Sequence, residues 1–294
     1  MQLVAGPFLS VDTIDMQHIC RRAGDRLTYY AWFQAMHTRI DLLFVADRSE
    51  EELAAMAEAA QRLIADIEYA GNCFDNNSEL SKLNNCKAGE QMKVSDYLYD
   101  LLSTCRDYTL RTGQLFDVTV ESAGHDADTF SSITLADDNM VSLTRAGVYI
   151  NMSGMLKGYA LDCLRAMLEG EGIGDAFMSL GGSSIMGMGC KSGSDGWPVA
   201  EVIGGVQHSI LLRDECFTTS GNVDGVNHHI VNPLTNREIA MNHKVSVVTR
   251  SATEGEVLST SYLLADDAQC THLDATFRPR RVVIDGKMHI NSYP

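Results

Sequence analysis

The chain is poor in proline and in basic residues, and it has no long hydrophobic run. Its 5 prolines are spread through 294 residues without a Pro-rich linker, an internal repeat or a low-complexity tract. Lys and Arg number 23 against 39 Asp and Glu, which gives a net charge of −16. An acidic surface repels nucleic acid and anionic membranes, so neither is an expected partner. No segment reaches the ~20 apolar residues that span a bilayer.

The sequence also lacks paired cysteines and the marks of a secretion signal. Its 8 cysteines are scattered without a C-x-x-C pair, which in a chain of this length indicates reduced thiols rather than a disulfide framework or a zinc site. The N-terminal stretch has no basic start, no sustained apolar run and no small-residue cleavage site. We therefore expect a cytoplasmic protein without a membrane anchor.

The segment INMSGMLKGYALD is the first candidate for a binding function. The apolar run at residues 148–150 predicts a strand that ends at Asn151, and Gly154 then opens a helix with Lys157 in its first turn. A glycine at a helix start lets a ligand approach the backbone, and free N–H groups beside a lysine favour a phosphate. An ordinary strand–turn–helix joint with an exposed lysine explains the same pattern.

Hydrophobic periodicity and turn residues predict mixed helices and strands along the rest of the chain. Ser49 and Glu52 form a capping box at the start of one helix, and residues 74–85 form a polar loop. Helices are expected near 49–67, 95–112 and 251–264, strands at 40–45, 114–120, 176–180, 199–203, 208–212 and 245–249, and a hairpin at 281–286.

Two carboxylates in these predicted elements are candidates for contacts with a ligand or a metal ion. Asp117 lies in the predicted strand 114–120, where it is either a turn or capping residue or a ligand contact. Glu256 and Thr260 are four residues apart on the predicted helix 251–264, so both oxygen-bearing side chains share one face. That pair suits a hard cation such as Mg²⁺, although a solvated polar face gives the same spacing.

Several segments, in order from about residue 30 to the C-terminus, resemble the motifs of the ApbE family of flavin transferases (FAD:protein FMN transferases). No single motif is decisive, and the resemblance rests on the whole ordered series. The segments are FQAMHT at 33–38, SELSKLN at 78–84, FDVTV at 116–120, NMSGMLKGYALD at 151–162, LGG at 180–182, TSG at 219–221, HIVNPLT at 229–235 and VVTRSATEGEVLSTSYLL at 247–264.

This resemblance implies an α+β fold related to the T-fold, with mixed or antiparallel sheets and packed helices. It implies an N-terminal extension at residues 1–29 and a single flavin transferase domain at 30–294. The implied reaction splits FAD at its pyrophosphate with the help of Mg²⁺. FMN passes to a Thr or Ser hydroxyl of an acceptor protein, and AMP is released.

The resemblance also implies the residues that hold FAD and the metal. Met36 and Phe74 would flank the flavin, and His229 would lie by the phosphates or act as the base for the incoming hydroxyl. The carbonyl of Gly154 would bind Mg²⁺ together with Glu256 and Thr260. The other implied FAD contacts are Leu115, Phe116, Asp117, Asn151 and Lys157.

The sequence departs from the family pattern at four of these places. Asn151 and Asn232 replace aspartates, Glu256 replaces the metal-binding aspartate, and His37 replaces a glycine. Because Mg²⁺ requires tight octahedral geometry, a longer carboxylate can shift or weaken its site. A non-catalytic FAD-binding protein with a degenerate metal site is therefore the main alternative to a transferase. An assembly factor that uses the fold for protein contacts is a third hypothesis.

Overall fold

The computed structural model describes residues 16–203, 205–221, 230–239 and 243–291. The helices in this part of the chain are α1 (Glu50–Gly71), α2 (Glu79–Asn84), α3 (Asp96–Arg111), α4 (Leu156–Gly170), α5 (Ala252–Leu264) and α6 (Asp267–Phe277), with short 3₁₀ turns at Phe130–Ser132 and Asp137–Asn139. The strands are β1 (Gln17–Ala23), β2 (Arg26–Ala35), β3 (Thr38–Ala46), β4 (Gln91–Lys93), β5 (Ile133–Ala136), β6 (Met140–Leu143), β7 (Ala176–Leu180), β8 (Ser184–Met188), β9 (Trp197–Ile203), β10 (Val206–Leu212), β11 (Glu215–Gly221), β12 (Val231–Asn232), β13 (Arg237–Glu238), β14 (Lys244–Thr249), β15 (Arg281–Ile284) and β16 (Lys287–Asn291).

A nine-stranded antiparallel sheet forms the centre of the described structure. Its strand order is β1-β2-β3-β7-β8-β11-β14-β15-β16. In β2 every second residue from Leu27 to Phe33 is buried, because successive side chains of a strand point to opposite faces. Three smaller sheets, β10-β9, β12-β13 and β4-β6-β5, surround it. The predicted α+β fold is confirmed.

Helices cover one face of the large sheet. The predicted capping box is present at α1, where the side chains of Ser49 and Glu52 each accept a hydrogen bond from the other residue's backbone N–H. Helix α1 packs on β2 and against α3 and α4, whereas α5 lies between α4 and strands β11 and β14. Most residues of α5 are buried, and the buried set includes the polar side chains of Thr253, Glu256, Ser259 and Ser261. Among the described helices, none is long and apolar enough to cross a membrane.

The β9–β10 hairpin covers the opposite face of the sheet. Val199, Ile210 and Leu212 form a second core with Phe217 and Val248 of the large sheet. The residues directly before Phe217 and Val248 in the sequence belong to the main core on the other face. The separation of the two cores follows from strand alternation. The hairpin is also joined to the sheet by polar groups.

A buried ion pair makes this polar connection. The Arg281 guanidinium donates to the Glu201 carboxylate from Nε and Nη2, at 3.0 and 2.6 Å, and the Ser246 hydroxyl donates to the other oxygen. Both charged residues are almost fully buried. Since a buried charge is costly without partners, these contacts fix the hairpin's position.

Three secondary-structure predictions are wrong. Residues 114–120 and 148–150 are buried or partly buried but form turns and irregular backbone instead of strands. The loop predicted at 74–85 contains α2, whose first turn is capped by the Ser78 hydroxyl. The expected domain boundary after residue 29 falls within β2, which pairs with β3. Division of the chain into residues 1–29 and 30–294 stays a prediction.

Candidate functional site

A first cleft opens between the β2–β3 turn and the end of α1. It encloses about 450 Å³ of empty space, including its open mouth. Phe74 stands at its rim with 65% of its surface exposed. Met36, Glu68, Ser153 and Lys157 also line the cleft. The structure thus brings together three of the predicted cofactor residues: Met36, Phe74 and Lys157.

The β2–β3 turn has an unusual backbone that presents Met36 to this cleft. Met36 and His37 adopt φ values of 50° and 56°, and they connect the paired residues Ala35 and Thr38. Two central residues with positive φ are typical of a type I′ hairpin turn. The Met36 N–H donates to Glu68 Oε2 at 2.9 Å, which ties the turn to α1. His37 therefore occupies a conformation that glycine adopts more easily.

A second cleft lies on the other side of Ser153, which lines both. It encloses about 530 Å³ and lies beside the turn before α4, the loop after α3 and the last part of α5. Ile230 also lines it, whereas the neighbouring His229 lies outside the described residues. The predicted site residues that line this cleft are Leu115, Phe116, Asp117, Asn151, Gly154 and Thr260.

Lys157 connects the first cleft to a buried carboxylate. Its ammonium donates to Ser183 Oγ at 2.5 Å and lies 3.8 Å from Glu256 Oε1. Glu256 is 5% exposed, and its carboxylate also accepts a hydrogen bond from the Ser184 hydroxyl. Burial raises the pKa of Glu256, and the nearby Lys157 and Ser184 oppose that shift. Glu256 lines neither cleft, in contrast to Gly154 and Thr260.

Gly158 permits the close approach of α4 and α5 that places Lys157 beside Glu256. A Cβ atom at Gly158 would lie 2.5 Å from the Ala252 carbonyl oxygen and 2.7 Å from Glu256 Cγ. Such contacts are too short for any larger residue without movement of a helix. The glycine in the K-G-Y sequence is therefore required by helix packing.

Asp162 on α4 holds the first turn of α5. Its carboxylate accepts hydrogen bonds from the Ser251 hydroxyl and the Ala252 N–H, at 2.7 and 2.9 Å. It also accepts from the N–H and the hydroxyl of Thr253. These bonds satisfy N–H groups that an isolated helix start leaves free. Asp162 thus fixes the helix that carries Glu256 and Thr260.

Asp117, His125 and Asn236 form a chain of hydrogen bonds that sequence reasoning did not identify. Asp117 Oδ1 accepts from the N–H and hydroxyl of Thr119, and Oδ2 lies 3.0 Å from His125 Nε2. His125 Nδ1 lies 2.8 Å from Asn236 Oδ1, and the Asn236 amide donates to the His125 carbonyl. This chain attaches the β12–β13 hairpin to the loop after α3. Asn236 is 111 residues from His125 in the sequence, so local patterns do not reveal that contact.

The amide of Asn151 has two partners beside the second cleft. Its Oδ1 accepts from the Ser153 N–H at 3.0 Å, and its Nδ2 donates to Glu121 Oε1 at 2.9 Å. An aspartate here would place a second carboxylate against Glu121. Asn151 and Glu121 are therefore a matched pair, in which the amide donates and the carboxylate accepts. Helix α4 begins at Leu156, later than the predicted start at residues 153–154.

The chain belongs to the ApbE family, whose family model matches residues 36–278. Its fold is similar to that of the flavin transferase ApbE from Vibrio cholerae, with a TM-score of 0.76, 20% identity, and coverage of 96% of this chain and 98% of that one. A second similar structure is the apo flavinyl transferase ApbE from Pseudomonas stutzeri, with a TM-score of 0.75, 12% identity, and coverage of 94% and 92%.

A third is the ApbE protein from Thermotoga maritima, with a TM-score of 0.71, 21% identity, and coverage of 90% and 97%. At these identities the similarity shows a shared fold. Among curated proteins no significant match to the chain was found.

Proposed function

We propose that this chain transfers FMN from FAD to a Thr or Ser hydroxyl of an acceptor protein and releases AMP. The observation that carries the proposal is the start of α4 between the two clefts. Its N-cap residue, Met155, makes no side-chain capping hydrogen bond to the described residues, whereas serine or aspartate side chains cap α1, α2, α3, α5 and α6. Uncapped N–H groups and the ammonium of Lys157 favour the pyrophosphate of a dinucleotide.

The linings of the two clefts support FAD as the ligand. Met36 and the exposed ring of Phe74 offer apolar surface to a planar flavin in the first cleft. The second cleft, lined by Leu115, Phe116 and Asp117, would take the remaining part of FAD. Because Ser153 lines both clefts, one elongated ligand can occupy them together.

Mg²⁺ is the proposed metal, with the Gly154 carbonyl, Glu256 and Thr260 as its ligands. The donors are oxygen atoms, as Mg²⁺ prefers, and Gly154 and Thr260 line the same cleft. Glu256 precedes Thr260 by one turn of α5, but its carboxylate is engaged by Ser184 and lies near Lys157. Bound Mg²⁺ would neutralise charge that develops as the phosphoanhydride breaks.

His229 is the proposed base for the acceptor hydroxyl. The resemblance of the segment HIVNPLT at 229–235 to the family motif supports this role, and His229 itself lies outside the described residues. The sequence features described above make the cytoplasm the proposed location, with FAD and an acceptor protein as partners and no role for nucleic acid.

The second candidate function, non-catalytic FAD binding, is favoured by the contacts of Glu256. A carboxylate already paired with a lysine and a serine is less available to a cation. Purified protein incubated with FAD, with and without Mg²⁺, separates the hypotheses. Mg²⁺-dependent formation of AMP supports the transferase, and bound but intact FAD supports the binding protein. Absence of FAD binding supports use of the fold for protein contacts.

A further inference from the structure

Three metal-ligating side chains meet where β1 approaches the start of α1. His18 and Cys20 are two residues apart on β1, so their side chains leave the same face of the strand. Glu50 is the first residue of α1. One ligand atom from each residue lies within 4.8 Å of the other two, and His18 Nε2 is 3.6 Å from Glu50 Oε1.

These separations suit a single small ion. Zinc bonds of about 2.0–2.3 Å place tetrahedral ligands roughly 3.3–3.8 Å from one another. The His18–Glu50 separation already falls in that range, and small side-chain rotations would close the remaining distances. Three protein ligands leave the fourth position for water.

Neighbouring groups restrict the geometry of two of the ligands. The His18 ring stacks on Tyr29, with ring centroids 5.0 Å apart and an angle of 13° between the planes. Tyr29 is the direct cross-strand partner of Cys20. The capping box of Ser49 and Glu52 fixes the backbone on both sides of Glu50. The ligands therefore lie on rigid elements, which lowers the entropy cost of binding an ion.

Acidic side chains lie close to the cluster. Glu50 and Glu58 both interact electrostatically with Tyr29, whose hydroxyl is buried without a hydrogen-bond partner among the described residues. A bound cation would offset this negative charge.

We propose that His18, Cys20 and Glu50 bind one Zn²⁺ ion. Thiolate and imidazole ligands select zinc over Mg²⁺, so this site is chemically distinct from the proposed Mg²⁺ site. The ion would connect β1, which is exposed at most positions, to α1. Sequence spacing gave no zinc motif because the third ligand comes from a different element.

Cobalt substitution tests this proposal. Untagged protein is stripped with a chelator and titrated with Co²⁺ in a large excess of Mg²⁺, which occupies sites made of oxygen alone. We expect one equivalent of Co²⁺, a thiolate-to-cobalt charge-transfer band, and loss of that band when Zn²⁺ is added. Failure of the parent protein to bind one equivalent would overturn the proposal.

Matched variants assign the ligands. Cys20→Ser is expected to abolish the band, and Cys86→Ser to retain it, since Cys86 is a partly buried thiol whose sulfur donates to the Lys82 carbonyl. His18→Ala and Glu50→Gln are each expected to weaken Co²⁺ binding by about tenfold or more. The assignment would be refuted if the charge-transfer band were unchanged in Cys20→Ser, or if Cys86→Ser lost the band to the same extent as Cys20→Ser.

A stability measurement provides the second readout. Zn²⁺ that binds the folded state raises Tm by mass action. We therefore expect Zn²⁺ to raise the Tm of the parent protein more than the Tm of Glu50→Gln. Circular dichroism in chelator checks that each variant is folded. If Cys20→Ser does not fold, His18→Ala and Glu50→Gln decide the outcome. Equal Tm gains in these two variants and the parent would contradict the site.

Discussion

Asp162 accepts hydrogen bonds from both the backbone N–H and the hydroxyl of Thr253, at 2.9 and 2.7 Å. This relationship fixes α5 against α4 and so determines where Glu256 and Thr260 lie. Asp162→Ala leaves these donors without their acceptor, and we expect unfolding free energy to fall by about 1–3 kcal/mol. Urea unfolding measures the loss, with Asp162→Asn as a control that keeps an acceptor oxygen. Equal stability of Asp162→Ala and the parent would contradict this role.

Gly158→Ala is expected to separate α4 from α5. The new methyl group would lie 2.5 Å from the Ala252 carbonyl, and overpacking of this kind costs about 1–3 kcal/mol. Gly170→Ala is the matched control, because it lies at the end of the same helix with nothing within 4 Å. The control is expected to be neutral or more stable by up to about 1 kcal/mol. Similar melting curves for the two variants would argue against tight helix packing at Gly158.

Lys157→Ala is expected to weaken FAD binding more than riboflavin binding. The reason is loss of a charge-assisted contact to the pyrophosphate, worth roughly 1.5–3 kcal/mol. Fluorescence quenching of each flavin gives the two dissociation constants, and Lys191→Ala serves as the control at an exposed lysine. If both ligands lose affinity equally, Lys157 does not contact the phosphates.

Asn151→Asp is expected to destabilise the protein unless Glu121 is changed as well. The single variant places two carboxylates in contact, whereas Glu121→Gln would supply an amide donor to the new aspartate. The double variant should therefore exceed the additive expectation by about 0.5–3 kcal/mol. A double-mutant cycle by urea unfolding measures this coupling. Strict additivity would show that the contact between Asn151 and Glu121 contributes nothing.

Glu256→Gln is expected to change the pH dependence of stability. Because burial raises the folded-state pKa of Glu256 above its ordinary 4.5, the group's contribution is fully present below that value. The contribution is lost as pH rises from the ordinary pKa through the folded-state pKa. The free energy of unfolding of Glu256→Gln should therefore increase relative to that of the parent over this pH interval. Urea unfolding in chelator across pH measures the gain, with the exposed Glu51→Gln as control. A difference independent of pH would refute the prediction.

The sequence by itself determined the elements with strong local patterns. The capping box predicted the start of α1, largely apolar runs predicted β3 and β7, alternation predicted β14, and the Asp285-Gly286 turn predicted the final hairpin. The ordered motifs also identified residues that line the two adjoining clefts. These features are determined locally, because capping and periodicity depend on residues only a few positions apart.

Only the tertiary structure decided which buried segments are strands and which polar groups are paired. The apolar residues at 148–150 pair with no strand in the described part of the chain, and an apolar run alone does not distinguish a strand from a buried loop. The contact between His125 and Asn236, and the pairing of Lys157 with Glu256, depend on distant elements that meet after folding. Burial then alters the electrostatics of Glu256, because the low dielectric of the core penalises its charge.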